Sequence, residues 1–257
     1  MIGFNLTNLQ MKKNNYSKIK INVLYESDEL LVLNKPAGLI THPDGRTDEP
    51  SLSEWLTINY PKIVGVGEPF VRDGLTIEKP GIVHRLDRET SGAIVVARTK
   101  ESFLNLKKQF QDREVRKLYN TFVWGELKND EGKIDRPIGR SRSDARLWSA
   151  QRGAKGTLRE AMTMYRVLWR GQGVSFVETE PKTGRTHQIR VHFKAINYPV
   201  ICDRLYSPKR GCALGFGRTA LHSRKIEFKN LTGDTVSIIA PYPKDFQQAM
   251  TELGIRF

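Results

Sequence analysis

Residues 84–97 place the tightest constraint on how this chain can fold. His84-Arg85-Leu86-Asp87-Arg88-Glu89-Thr90-Ser91-Gly92 sets an acid, Asp87, among two arginines and a histidine, and it runs straight into Ala93-Ile94-Val95-Val96-Ala97. The second stretch is strongly β-forming. A fold that accepts it must leave Asp87 at the mouth of a strand. An isolated carboxylate is ordinarily just solvated. One held among cations at a strand end is kept ionised and aimed, as a nucleophile or an electrostatic partner requires.

The remaining periodicities surround that strand with others. Ile21–Tyr25 and Leu30–Asn34 read as a hairpin-like pair, followed by the turns Lys35-Pro36-Ala37-Gly38 and His42-Pro43-Asp44-Gly45. Ser51–Tyr60 predicts a short helix, and residues 61–81 a loop rich in Gly and Pro. Lys100–Arg113 predicts a second helix and Lys117–Gly125 a strand. Residues 132–157 carry Arg, Ser and Gly with little periodicity, an exposed basic loop or ribbon. Arg159–Arg170 and Val174–Glu180 form two strands joined by Gly171-Gln172-Gly173, a hairpin signal. Thr186–Ile196 turns helical, Ala220–Phe228 and Thr235–Ala240 are late strands, and Lys244–Leu253 is a last helix. Strands outnumber helices and most neighbours meet through short turns. The fold class expected is α+β, a largely antiparallel mixed β-sheet with flanking helices and loops.

Charge narrows the partner. Lys plus Arg is 42 against 28 for Asp plus Glu, a net charge of +14. Such an excess draws polyanions by counterion release and long-range steering, so nucleic acid is the expected partner. No run approaches the roughly 18–20 apolar residues of a membrane helix. The first twenty residues hold four lysines and no apolar stretch like a secretory signal, so residues 1–20 are expected to be a flexible basic segment ahead of one domain, 21–257. Cys202 and Cys212 stand ten apart without neighbouring ligands, which rejects a zinc site. They are expected to be free thiols in a reducing cytoplasm.

Three further segments carry chemistry. In Thr183-Gly184-Arg185-Thr186-His187-Gln188-Ile189-Arg190-Val191-His192, Arg185 lies at a turn before a helix. From there a guanidinium can reach back to a carboxylate on a neighbouring strand end and pair with it bidentately. In Arg116-Lys117-Leu118-Tyr119, the tyrosine opens a strand; a lone strand tyrosine is more often plain core, but flanking cations make base stacking a credible role. Asn34-Lys35-Pro36-Ala37-Gly38 is a rigid basic turn.

With these residues in view, the chain resembles the RluA-type pseudouridine synthases. Residues 84–92 match the signature H-R-L-D-x-x-T-S-G at every fixed position. Residues 34–38, 116–119 and 183–192 are similar to that family's N-K-P-x-G, R-K-x-Y and T-G-R-x-H-Q-I-R-x-H segments, in the family's order. The resemblance covers roughly residues 21–245. It implies the pseudouridine synthase fold and isomerisation of uridines in structured ribosomal or transfer RNA, with no metal and no organic cofactor.

Residue by residue, the resemblance implies that Asp87 is the catalytic aspartate, that Arg185 forms its ion pair, and that Tyr119 stacks on the target uracil. Arg85 would enter the space left by the flipped nucleotide, and Ile189 would pack under the base. His84 and Lys35 complete the expected substrate-binding set. Many relatives begin with a separate RNA-binding domain; about twenty residues precede the first strand here, so that domain is expected to be absent. A monomer in the cytoplasm is expected. Two other readings compete: an RNA-binding module without catalysis, which gains nothing from a carboxylate facing phosphate, and an N-glycosidase, which would release free uracil.

Overall fold

The computed structural model describes residues 16, 19–43, 49–72, 75–77, 79–142, 144, 147–151 and 154–256. The expected N-terminal segment 1–20 lies almost wholly outside the described residues, as do a few positions of the basic stretch 136–159.

The chain opens with β1 (Asn22–Glu26), β2 (Leu30–Lys35) and helix α1 (Leu52–Asn59), then the short strands β3 (Phe70–Arg72) and β4 (Leu75–Ile77). Strand β5 (Ser91–Ala97) is followed by α2 (Lys100–Gln111), β6 (Arg116–Trp124), β7 (Glu131–Asp135), β8 (Ile138–Arg140), β9 (Trp148–Ser149) and β10 (Lys155–Arg159). The long hairpin β11 (Met162–Gly171) and β12 (Val174–Pro181) leads to α3 (Gln188–Ala195), β13 (Leu221–Lys229), β14 (Thr235–Ile239) and α4 (Lys244–Glu252). Ser51 caps α1 by accepting the Glu54 N–H at 3.2 Å, and Thr99 with Ser102 forms a reciprocal cap on α2.

The strands build one large mixed sheet in the order β1-β2-β5-β13-β6-β12-β11-β7, with β14 also pairing β13. The fold is the expected α+β architecture. Among the described strands of this sheet, its one parallel pairing is the consequential one. Strand β13 meets β5 only at His222–Ser91 and Ser223–Gly92, then leaves it to pair β14 over Lys225–Lys229. Gly92 permits this: its φ is +112°, and a Cβ there would lie 2.2 Å from the Ser223 carbonyl oxygen. The last residue of the acidic signature is thus where two strands come too close for any side chain.

Period-two alternation sorts the core. Leu31, Leu33, Ile94 and Val96 join Phe122, Phe176, Phe193 and Phe246 in one cluster that also takes in α1, α3 and α4. Leu30, Val32, Ala93, Val95 and Ala97 join Phe103 and Leu106 of α2 in the other. Strand β5 is therefore buried on both faces, which explains its unbroken apolar run. It provides a rigid mount for the loop that precedes it.

Several boundaries move. Within the expected loop 61–81 lie a turn of 3-10 helix at Pro61–Ile63 and the β3–β4 pair. The described residues of the basic stretch 132–157 include the edge strand β7 and most of a small sheet β10-β8-β9, with Arg140 lying over the Trp148 ring at 4.1 Å. Helix α3 begins at Gln188 rather than Thr186, because His187 adopts a left-handed backbone with φ 55°.

The cysteines correct an expectation. Cys202 and Cys212 are joined in a disulfide, with Cα atoms 4.3 Å apart. Turns closed by Ser207 N–H to Asp203 O and Arg210 N–H to Ser207 O fold the intervening residues back, which spacing alone does not reveal. The argument for a reducing compartment from free thiols is withdrawn with it. Among the described residues no helix is long and apolar enough to cross a membrane.

Candidate active site

Asp87 lies on the loop between a bridge at Ile82 and the start of β5, and backbone hydrogen bonds fix that loop along its length. Thr41 Oγ1 donates to the Leu86 carbonyl at 2.8 Å and accepts the Leu86 N–H at 3.2 Å. Gly38 N–H donates to the Arg88 carbonyl at 2.9 Å, and Thr90 N–H closes a turn on the Asp87 carbonyl at 3.1 Å. At the far end, Arg218 donates to the Glu89 carbonyl at 2.8 Å while its own guanidinium is forked on Asp245. Leu86, buried beneath, anchors the loop apolarly.

Lys35 belongs to this scaffold and not to the substrate surface. It is completely buried, and its ammonium donates to the carbonyls of Pro36, Leu39 and Arg88 at 2.9, 2.7 and 3.2 Å. Burial pushes its pKa down to about 7, with the Asp87 charge pulling the other way. The expected substrate contact of Lys35 is therefore corrected: no face of it is left for a nucleotide, and it ties the 35–39 turn to the catalytic loop.

The Asp87 carboxylate faces two groups, both on its Oδ2. Arg190 Nη1 lies at 3.4 Å and His187 Nε2 at 3.9 Å. Arg190 is only 5% exposed and is itself forked on fully buried Asp203, Nε to Oδ2 at 2.7 Å and Nη2 to Oδ1 at 2.8 Å. Burial alone would push the guanidinium down; its hydrogen bonds to Asp203 and the nearby Asp87 charge outweigh that and hold it above its ordinary value. Among the described residues nothing donates to Asp87 Oδ1.

This overturns the pairing of Arg185 with Asp87. Arg185 sits in the turn before α3, and its Nε donates to the Glu160 carbonyl at 3.0 Å, away from the aspartate. The turn is pinned by Gln188, whose Oε1 accepts from Thr183 Oγ1 and the Arg185 N–H and whose Nε2 donates to Met162 O and Thr163 Oγ1. Arg190 stands two residues further along, on the buried side of the first helical turn, and reaches inward between two carboxylates.

A recess of about 540 Å³ opens beside Asp87. Its walls bring together Asp87, Tyr119, Ile189, His84, Arg85 and Arg185, every expected site residue except Lys35. Tyr119 is held in β6 between Ser223 and Thr179, and burial pushes its hydroxyl up to about 12, so it enters as a neutral phenol. His84 stacks on Phe110 at 4.7 Å and accepts the Val95 N–H on Nε2 at 3.0 Å; burial pushes it down to about 3, so it is a neutral acceptor that braces β5. Arg85 is exposed at the rim and among the described residues has no ion-pair partner. A second recess of about 450 Å³ shares Arg85, Asp87, His187 and Arg190 and continues past Arg204 and Arg218.

Sequence reasoning missed Asp203, Tyr206, Arg218 and His187. The first three lie outside every motif singled out, and their roles come from chain crossings. His187 and Arg190 were inside the 183–192 segment, but their placement depends on the left-handed start of α3.

Comparison with known proteins places the chain in a family. Residues 29–195 match the RNA pseudouridylate synthase family. Over 239 residues the chain is 35% identical to an uncharacterised RNA pseudouridine synthase of Synechocystis, spanning 93% of this chain and 70% of that protein. It is 37% identical over 247 residues to the ribosomal large subunit pseudouridine synthase D of Xanthomonas campestris, spanning 91% of this chain and 70% of that one. Among solved structures, human RNA pseudouridylate synthase domain containing 4 superposes with a TM-score of 0.73 at 22% identity, covering 98% of this chain and 99% of that chain. Human RNA pseudouridylate synthase domain containing 1 gives 0.67 at 26% identity, covering 87% and 84%.

Proposed function

The chain belongs to the RNA pseudouridylate synthase family and is an RNA-modifying isomerase, and from that premise we propose that Asp87 is its catalytic carboxylate and large-subunit ribosomal RNA its substrate. One observation carries the residue assignment: Asp87 lines the recess that also holds Tyr119 and Ile189, with its Oδ2 anchored on a buried arginine and its Oδ1 unengaged among the described residues.

Isomerisation breaks the N1–C1′ bond, turns the uracil and rejoins it through C5, releasing the C5 proton. The target base must first leave its stack, at a cost on the order of a few kcal/mol. Arg85, exposed at the rim, enters the gap and meets phosphate. Tyr119 and Ile189 receive the base on its two faces; base–aromatic stacking returns roughly 1–3 kcal/mol. Asp87 is held beside Arg190, and its oxygen free of that contact attacks the nucleotide or stabilises the opened sugar. The recess keeps the detached base beside its sugar and limits water, which would trap the sugar as an abasic site. His84 braces the wall, and Arg185 at the opposite rim contributes phosphate contact rather than the ion pair.

The substrate assignment rests on relatives that span nine-tenths of the chain and carry the name ribosomal large subunit pseudouridine synthase D. Residues 21–257 act as one catalytic unit, a monomer, with the described cations of 136–159 contacting phosphate. The test is pseudouridine mapping across total RNA from cells with and without the protein. Loss of a few pseudouridines in large-subunit RNA supports the assignment. Loss confined to transfer RNA overturns the substrate, and an unchanged map overturns the function.

A further inference from the structure

His187 stands at the wall shared by the two recesses, and its surroundings fix which nitrogen carries the proton. Tyr206 Oη accepts the Trp148 backbone N–H at 3.2 Å and lies 2.8 Å from His187 Nδ1. The buried phenol has one hydrogen, and among the described residues Nδ1 is the acceptor within its reach. Tyr206 therefore donates to Nδ1. The hydrogen of the neutral imidazole then sits on Nε2, which faces Asp87 Oδ2 at 3.9 Å.

We propose that the Tyr206–His187 pair is a positioning device that presents a neutral Nε2–H donor to Asp87 and, with Arg190, commits the carboxylate through Oδ2 so that Oδ1 is the oxygen turned to the nucleotide. This rests on the reading of Asp87 as the catalytic group. At 3.9 Å the Nε2–H lies just beyond hydrogen-bond distance of Oδ2, and in the proposed device it tightens onto the carboxylate in the nucleotide complex.

The backbone fixes the imidazole as well: His187 sits in the left-handed region at φ 55°, a conformation histidine adopts more readily than most residues, at the turn that opens α3. Tyr206 is the fixed point: its ring meets the imidazole edge-on at 5.5 Å and carries the Arg190 guanidinium at 5.0 Å from its centroid. The charged and titratable groups facing His187 are Asp87, Arg190, Asp203, Arg85 and Tyr206. Burial, with Arg190 and Arg85, lowers its pKa, while Asp87 and Asp203 oppose it. A second positive charge beside Arg190 is thereby avoided.

Glutamine and asparagine separate this role from a backbone role. Gln places its amide near the imidazole Nε2, whereas Asn tolerates the left-handed backbone but ends near Nδ1. Steady-state tritium release from RNA carrying C5-labelled uridine is the assay. His187→Ala and His187→Asn should lose about ten- to a hundredfold in kcat, the worth of one hydrogen bond to a charged group, with KM unchanged and His187→Gln retaining most of the rate. Tyr206→Phe keeps the ring but frees Nδ1, so the acid limb of its pH profile should move to higher pH. His187→Asn working better than His187→Gln, or an unmoved limb in Tyr206→Phe, overturns the inference while leaving Asp87 untouched. A native chain that releases no tritium from any cellular RNA overturns the reading beneath it.

Discussion

Asp203 holds Arg190 in a two-point fork, at 2.7 and 2.8 Å, where the carboxylate is fully buried and the guanidinium nearly so. The arginine that faces the reacting aspartate is thus fixed from behind by a second carboxylate, and its contact with Asp87 is the looser of the two. One guanidinium serves two acids, and the buried acid decides where it points.

The fork predicts a sharp contrast between two arginines in one motif. Arg190→Ala leaves Asp203 buried and unpaired, which costs about 3–5 kcal/mol of stability, and it removes turnover. Arg185→Ala, whose guanidinium meets a surface carbonyl and among the described residues no carboxylate, should change stability by no more than about 0.5 kcal/mol. It should also retain turnover at saturating RNA. Urea unfolding and tritium release on both variants check this; equal loss in both would contradict it.

Tyr119 predicts a binding effect that depends on the ring rather than the hydroxyl. In an Asp87→Asn background, Tyr119→Phe should bind target RNA nearly as well as Tyr119. Tyr119→Leu should lose roughly 1–3 kcal/mol, the worth of one base–aromatic stack. Filter binding at fixed salt measures it. No loss in the leucine variant would return Tyr119 to the status of a core residue.

Acid sensitivity follows from histidines buried neutral. Burial pushes His42, His84 and His222 down to about 3, below the ordinary imidazole value of about 6.5. Unfolding frees each to take a proton, so the stability they confer is complete above about pH 6.5 and is lost as pH falls toward 3. His84→Gln should lower the proton uptake on unfolding near pH 5 by about one. Unfolding free energies measured across that window give the slope; an unchanged slope would contradict the assignment.

The disulfide predicts a redox-dependent stability. Closing the loop between Cys202 and Cys212 is worth about 3 kcal/mol by chain entropy, so Cys202→Ser should unfold at correspondingly lower urea. Thiol titration of the denatured, unreduced protein should find no free thiol. Two free thiols would contradict the bond.

What the sequence disclosed follows a physical pattern. Strand β5, helix α2 and the β11–β12 hairpin were readable because periodicity and turn residues act locally. The nine-residue signature located Asp87, and the recess assembles the residues expected around it. Its ion-pair partner was misplaced because Arg185 and Arg190 differ only by the left-handed turn at His187, which composition does not announce. Asp203, Tyr206 and Arg218 were invisible for a related reason: each acts across a crossing of distant segments. Lys35 was misread because a lysine in a basic turn looks like a surface charge until three carbonyls are seen to enclose it.

The most direct test is Asp87→Asn, which keeps the shape of the loop and removes the charge. Tritium release from C5-labelled uridine and RNA affinity are measured on the same preparation. The account predicts that isomerisation disappears while RNA is still bound within a few-fold of the native affinity. Appreciable isomerisation by the Asn variant would contradict it.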